Sequence, residues 1–333
     1  MSALDLPLIF TGLMGFAILA YVVLDGYDLG VGILLPAATP CEQNIMVSSI
    51  GPFWDANETW LVLGIGLLLV AFPVAHGMVL TALYLPVLVM LIGLILRGVA
   101  FEFRVKAQGW HRELWNWLFG CGSIIAALAQ GLMLGLYVVG FAHGVGDYLF
   151  AAVVALGVAG GYVMLGGAWL IARTEGTLQH SATRWTRWGQ IGVALGLLLV
   201  IVGTALENST IREKWLQLPM LLLLLPLALI AVWSWVWHAT RRLEHRLAGS
   251  SCANLSKHEW MPFFGAVSIY VIAFLGLGYS LFPYIVVARL TIWQAAAHPS
   301  SLRFVLIGAL IVLPMILAYS VFSYYVFRGK VRE

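Results

Sequence analysis

The residues best placed to do chemistry are carboxylates in costly positions. Leu24 to Pro36 reads Leu-Asp-Gly-Tyr-Asp-Leu-Gly-Val-Gly-Ile-Leu-Leu-Pro, which sets Asp25 and Asp28 inside a hydrophobic stretch long enough to cross a bilayer. An Asp at the centre of such a helix costs roughly 2.5 to 3.5 kcal/mol on insertion scales, so acids kept there point to a proton or ion path. Trp54 to Trp60 supplies a second pair, Asp55 and Glu58, three residues apart and so on one face of a helix. Leu96 to Arg104 adds Arg97 and Glu102. A partly buried Arg97 can hold one carboxylate ionised while burial and like-charge repulsion raise the pKa of another, which suits a proton acceptor near neutral pH. Each group also has a plainer reading. Asp28 near a helix end can cap or snorkel, Asp55 and Glu58 can complement a helix dipole, and Arg97 with Glu102 can form a structural ion pair.

Apolar helices must position these groups. The 333 residues are 62% hydrophobic and only 10% charged, with strongly positive mean hydropathy, which describes an all-α polytopic membrane protein with no sizeable aqueous domain. Hydropathy predicts nine transmembrane helices, over 7–35, 50–72, 79–103, 115–140, 149–172, 188–206, 217–239, 262–286 and 304–327. The N-terminal stretch lacks a basic leader and cleavage site and runs past signal-peptide length, so it reads as an uncleaved first helix. Of 18 Lys and Arg residues, 13 fall in the loops after spans three, five and seven and in the C-terminal tail. Arg212, Lys214, Arg289 and Arg303 lie on the other side. The positive-inside rule then puts the N-terminus outside and the C-terminus in the cytoplasm. All of the acids singled out above fall at the cytoplasmic end of spans one to three.

Other features read first as structure. Gly26, Gly30, Gly32, Gly64 and Gly66 suit close helix packing. Trp54 and Trp60 suit an interfacial belt more than a quinone-stacking platform. Pro52 reads as an early helical residue, Pro86, Pro226 and Pro314 as kinks, and Gln130 as an interhelical hydrogen bond. Cys41, Cys121 and Cys252 are scattered, without disulfide or metal spacing. The eight histidines map to loops or span ends, so nothing at the membrane midplane offers axial haem ligation. There is no P-loop and no sign of a nucleic-acid partner. If electrons move in the assembly, another subunit carries the metal.

Several motifs together resemble one family. They are the segment from Leu24 to Pro36, Ser49-Ile50-Gly51-Pro52-Phe53-Trp54-Asp55-Ala56-Asn57-Glu58-Thr59-Trp60, and Arg97-Gly98-Val99-Ala100-Phe101-Glu102-Phe103-Arg104. Gly167 to Gly176, Leu290 to Ala297 and Tyr324 to Lys330 extend the likeness along nearly the whole chain. In that order they closely resemble subunit II of the cytochrome bd-type quinol oxidases, most of all the cyanide-insensitive branch.

The resemblance implies two pseudo-repeated four-helix bundles, about 7–140 and 149–286, and a ninth helix at about 304–327. It implies a haem-bearing subunit I holding two haem b and one haem d, with quinol oxidised at the outer face, oxygen reduced to water and protons drawn from the cytoplasm. No cofactor is then bound by this chain alone and no catalytic residue lies in it. Small accessory subunits, quinone near Trp54 and Trp60, and lipid are further candidate partners. Asp55 matches the family acid assigned to the proton path, Asp25 and Asp28 match its neighbours, and Glu58, Arg97 and Glu102 lie within the matched motifs. Three positions depart from the family pattern: Ala56 for Gly, Gln294 for Asp after Trp293, and Val287 for Pro. A proton-coupled transporter and a purely structural partner subunit are the alternative readings.

Overall fold

A computed structural model describes residues 5–207, 209–217, 219–249 and 258–331. Cys252, Lys257 and Arg332 lie outside the described residues. Helices dominate: α1 (Asp5–Leu34), α2 (Pro40–Ile50), α3 (Trp54–Ala71), α4 (Pro73–Ala82), α5 (Tyr84–Lys106), α6 (Trp110–Val138), α7 (Val145–Arg173), α8 (Gly176–Glu207), α9 (Ser209–Gln217), α10 (Pro219–Gly249), α11 (Met261–Leu281), α12 (Ile292–Ala295) and α13 (Pro299–Val326). A two-stranded antiparallel hairpin, β1 (Tyr284–Val286) and β2 (Leu290–Thr291), precedes α12. Eight of these helices are long and apolar enough to cross a membrane: α1, α3, α5, α6, α7, α8, α11 and α13. The span expected over 217–239 begins on the last residue of α9, includes residue 218, which is outside the described residues, and continues on α10 from Pro219.

Three expectations change at prolines. The third span does not begin at 79, because α4 ends at Ala82 and α5 begins at Tyr84. Pro86 therefore sits in the first turn of α5, where an amide proton has no intrahelical partner to lose, and it is not a mid-span kink. Pro52 lies in the turn before α3 and not inside the helix. The eighth span stops at Leu281 because Pro283 cannot continue the helix, and the chain turns into β1. Pro226 and Pro314 do lie inside helices. Gln294 closes a capping box at the start of α12: its side chain accepts from the Thr291 amide at 2.9 Å.

α1 is central. It packs on α3, α6 and α7, while α5 packs on α6, α7 on α8, and α10 on α11. Where α1 crosses α7 the backbones touch: a Cβ on Gly30 would lie 1.8 Å from the Tyr162 carbonyl oxygen, and one on Gly166 would lie 2.4 Å from the Gly30 carbonyl carbon. In a bilayer, where lipid tails are as apolar as leucine, such close approach is a main source of helix adhesion. A Cβ on Gly66, by contrast, would meet nothing within 4 Å among the described residues. α13 touches the rest of the chain along a thin seam, with Leu302, Leu313 and Ser323 as its buried residues.

Candidate functional site

The carboxylates of α1 and α3 meet one cation from α5. Arg97 is 1% exposed and its fork reaches two acids: Nη1 donates to Asp25 Oδ1 at 2.6 Å and Nη2 donates to Glu58 Oε2 at 2.9 Å. Asp25 is fully buried, whereas the Glu58 side chain keeps 30% of its surface exposed. Gly122 lets α6 close in behind this cation, since a Cβ there would lie 2.8 Å from the Arg97 amide nitrogen. The guanidinium thus joins three helices through charge-assisted hydrogen bonds.

Asp28, one turn further along α1, faces a different partner. Its Oδ2 accepts from Asn57 Nδ2 at 2.8 Å, and the same amide donates to the Tyr27 hydroxyl at 2.8 Å. Tyr324 on α13 donates to Asn57 Oδ1 at 3.1 Å and lies 2.6 Å from the Tyr27 hydroxyl. The donors therefore run in a ring, from Tyr27 to Tyr324 to Asn57 and back to Tyr27. Among the described residues, Asp25 Oδ2 and Asp28 Oδ1 are buried and have no hydrogen-bond donor.

A second polar thread runs deeper. Tyr21, one turn before Asp25, accepts from Gln130 Nε2 at 2.7 Å, and the Tyr162 hydroxyl donates to Gln130 Oε1 at 2.5 Å. The amide expected to bond between helices does so, linking α1, α6 and α7. Asn57, Tyr21, Tyr27, Tyr162 and Tyr324 were not singled out by sequence. The available signal was that a tyrosine or asparagine inside an apolar span needs a polar partner.

Two expected members stand apart. Asp55 is exposed, at the start of α3. Glu102 is also exposed, and the Arg97 ion pairs run to Asp25 and Glu58 instead. Trp54 packs against Phe101 at 4.6 Å between ring centroids. Trp60 is no interfacial belt residue: it is 1% exposed, edge-on to Phe16 and enclosed with Ala17, Tyr21 and Leu313. Among the described residues, no group of three or more His, Cys, Asp or Glu side chains could hold a metal ion.

The sequence model of the family described as cytochrome bd terminal oxidase subunit II matches residues 6–327. The chain belongs to that family. It is 28% identical over 345 residues to cytochrome bd ubiquinol oxidase subunit 2 of Bacillus subtilis, covering 96% of this chain and 95% of the relative. Against cytochrome bd-I ubiquinol oxidase subunit 2 of Escherichia coli it is 25% identical over 377 residues, covering 96% and 94%. The bd oxidase structure from Geobacillus thermodenitrificans contains a chain with the same fold, at a TM-score of 0.77 and 16% identity, covering 98% of this chain and 100% of that one. As a subunit II, the protein is a multi-pass inner-membrane component of a quinol:oxygen oxidoreductase. The haem of such a complex lies in the partner subunit.

Proposed function

We propose that this subunit II supports proton uptake from the cytoplasm for oxygen reduction, and that it stabilises the haem-bearing subunit I. The observation that carries this reading is the single Arg97 guanidinium shared by Asp25 and Glu58 inside membrane-spanning helices. Asp55, exposed at the start of α3, receives protons. Glu58, 30% exposed, passes them inward past Asp25, which is paired with Arg97, to Asp28, whose buried carboxyl presents an oxygen without a donor. Arg97 is the fixed counter-charge.

In this reading the chain has nine spans, with α10 as the one beyond the eight named above, an outer N-terminus and a cytoplasmic C-terminus. The spans form two four-helix bundles, α1, α3, α5, α6 and α7, α8, α10, α11, with α13 beside them. Subunit I holds two haem b and one haem d and oxidises quinol at the outer face. Quinone near Trp54, lipid and small accessory subunits complete the partners.

Turnover per haem in Asp55→Asn, Glu58→Gln and Asp25→Asn complexes tests the path. Removing a relay proton slows turnover about 10²-fold where proton transfer limits the rate, with haem content retained. A static role for the acids predicts the reverse: haem lost and turnover per remaining haem unchanged. The full enclosure of the Asp25–Arg97 pair favours that second reading for Asp25 alone. Unchanged turnover per haem in all three variants would overturn the path.

A further inference from the structure

At the corner between α5 and α6, two arginines converge on one neutral oxygen. Arg104 Nη2 and Arg112 Nη2 each donate to Asn44 Oδ1 at 2.7 Å. The Arg104 Nε donates to Asn116 Oδ1, and Asn116 in turn donates to Gln43 Oε1 at 2.6 Å. Arg104 is 4% exposed, and the Nε of Arg112 is buried with no acceptor. Among the described residues neither arginine has a carboxylate partner, and Glu102 and Glu113, the acids nearest in sequence, are exposed and make no ion pair with them.

Two positive charges are thus brought together with only amide oxygens to meet them. An amide oxygen can satisfy hydrogen-bond geometry, but it supplies no charge, so like-charge repulsion and lost hydration are left uncompensated. The scaffold enforces the arrangement. Helix α2, which carries Gln43 and Asn44, is fixed by the Thr39–Glu42 capping box, and Gln43 Nε2 ties it to the Leu35 and Ala38 carbonyls at 3.1 and 3.2 Å. A pair of guanidiniums held in this way matches the tetrahedral oxygens of a phosphate group, which accepts forked hydrogen bonds and carries the missing charge.

We propose that Arg104 and Arg112, with Asn44 between them, form a binding site for a phosphate group, the class of ligand presented by a phospholipid headgroup. The surroundings favour the lipid over free phosphate. The corner lies at the end of a membrane-spanning helix, and a crevice of about 430 Å³ lined by Phe103, Lys106, His111 and Trp115, sequence neighbours of Arg104 and Arg112, opens at the same α5–α6 corner. Aromatic and basic residues at a helix end are the usual setting for a headgroup. The site is separate from the Asp25–Arg97–Glu58 cluster and does not depend on the proton path.

The test uses the purified oxidase complex and its Arg112→Gln variant. Arg112 is chosen because it is partly exposed and Arg104 is needed to hold Asn116. Phospholipid phosphorus per haem is measured after extensive detergent exchange. The wild-type complex is expected to retain at least one anionic phospholipid that the variant loses. Delipidated wild-type complex is then titrated with phosphatidylglycerol in detergent, and separately with inorganic phosphate, following its thermal midpoint. A rise with phosphatidylglycerol alone supports the lipid site, and an equal rise with inorganic phosphate supports a phosphate site filled from solution. If wild type and variant retain the same lipid and respond alike to both probes, the proposal is overturned. Should the variant fail to assemble, the wild-type titrations still decide: no rise with either probe overturns the site.

Discussion

Arg97 Nη1 stands 2.6 Å from Asp25 Oδ1, and both residues are withdrawn from all surroundings. Loss of Arg97 would leave Asp25 a buried charge with no cation, whereas loss of Asp25 would leave Arg97 with Glu58 alone. Removing one partner of such a pair typically costs about 3 to 5 kcal/mol, more than the pair itself contributes. The pair is therefore a lock between α1 and α5.

Arg97→Leu should consequently fail at assembly. The expected outcome is loss of most haem-containing complex from the membrane, measured as haem per milligram of membrane protein. Arg97→Lys keeps the charge but has no fork to serve Asp25 and Glu58 together, so it should assemble better than Leu and turn over more slowly than wild type. Normal assembly of Arg97→Leu would show that the pair does not hold the helices.

Tyr324→Phe removes the hydroxyl that closes the ring with Tyr27 and Asn57. It leaves Asn57 Oδ1 short of a donor and should destabilise the attachment of α13 by about 1 to 3 kcal/mol. Faster proteolysis or amide exchange within residues 299–326 of the assembled complex is the readout. Identical exchange in both proteins would show that the ring does not anchor α13.

Gly30→Ala puts a methyl into the Tyr162 carbonyl, and α1 and α7 must separate to admit it. Overpacking of this kind costs about 1 to 3 kcal/mol. Gly66→Ala, with open space around it, should be neutral or slightly stabilising because alanine favours a helix over glycine. A lower thermal midpoint for the first variant and not for the second is the expected contrast.

Glu42 gives a pH dependence outside the membrane spans. Burial pushes its carboxyl up, but hydrogen bonds from the Thr39 amide at 3.0 Å, the Thr39 hydroxyl at 2.8 Å and the Thr177 hydroxyl at 3.1 Å outweigh it and hold the group below the ordinary glutamate range. A value depressed by folding gives stability that is present above the unfolded range of about 4.3 and is lost as pH falls through the folded value. Glu42→Gln should therefore lower the thermal midpoint at pH 7, and the difference from wild type should shrink as pH is brought below about 4. A difference independent of pH would place the effect in packing.

The intramembrane charges were legible in the sequence because hydropathy makes them stand out, and so was Arg97 as a cation among them, but which acids it meets was not. Glu102 follows Arg97 by five residues, which turns it about 140° around the helix, so it cannot share the face that meets Asp25. Asp25 and Asp28 are about 60° apart on α1. That rotation is enough to aim one at α5 and the other at Asn57 on α3. Asp55 and Glu58 divide in the same way, one outward and one toward Arg97. Periodicity within one helix gives the face, whereas the neighbour across it depends on where three helices cross. The enclosure of Trp60 escaped the sequence for the same reason, since a tryptophan near a span end looks alike whether lipid or another helix covers it. Of the glycines, Gly30 and Gly66 have the same local signal and opposite surroundings.

The ring around Asn57 also fixes an order of events in synthesis. Tyr27 and Tyr324 are 297 residues apart, and Asn57 belongs with the early part of the chain. When α1 and α3 first meet, Asp28 and the Tyr27 hydroxyl can already take the Asn57 amide, but Asn57 Oδ1 lacks its donor and the Tyr27 hydroxyl its acceptor until α13 follows. The acid-bearing helices are thus built well before the helix that seals them, so a nascent chain that stops before α13 carries an unfinished polar centre in the bilayer.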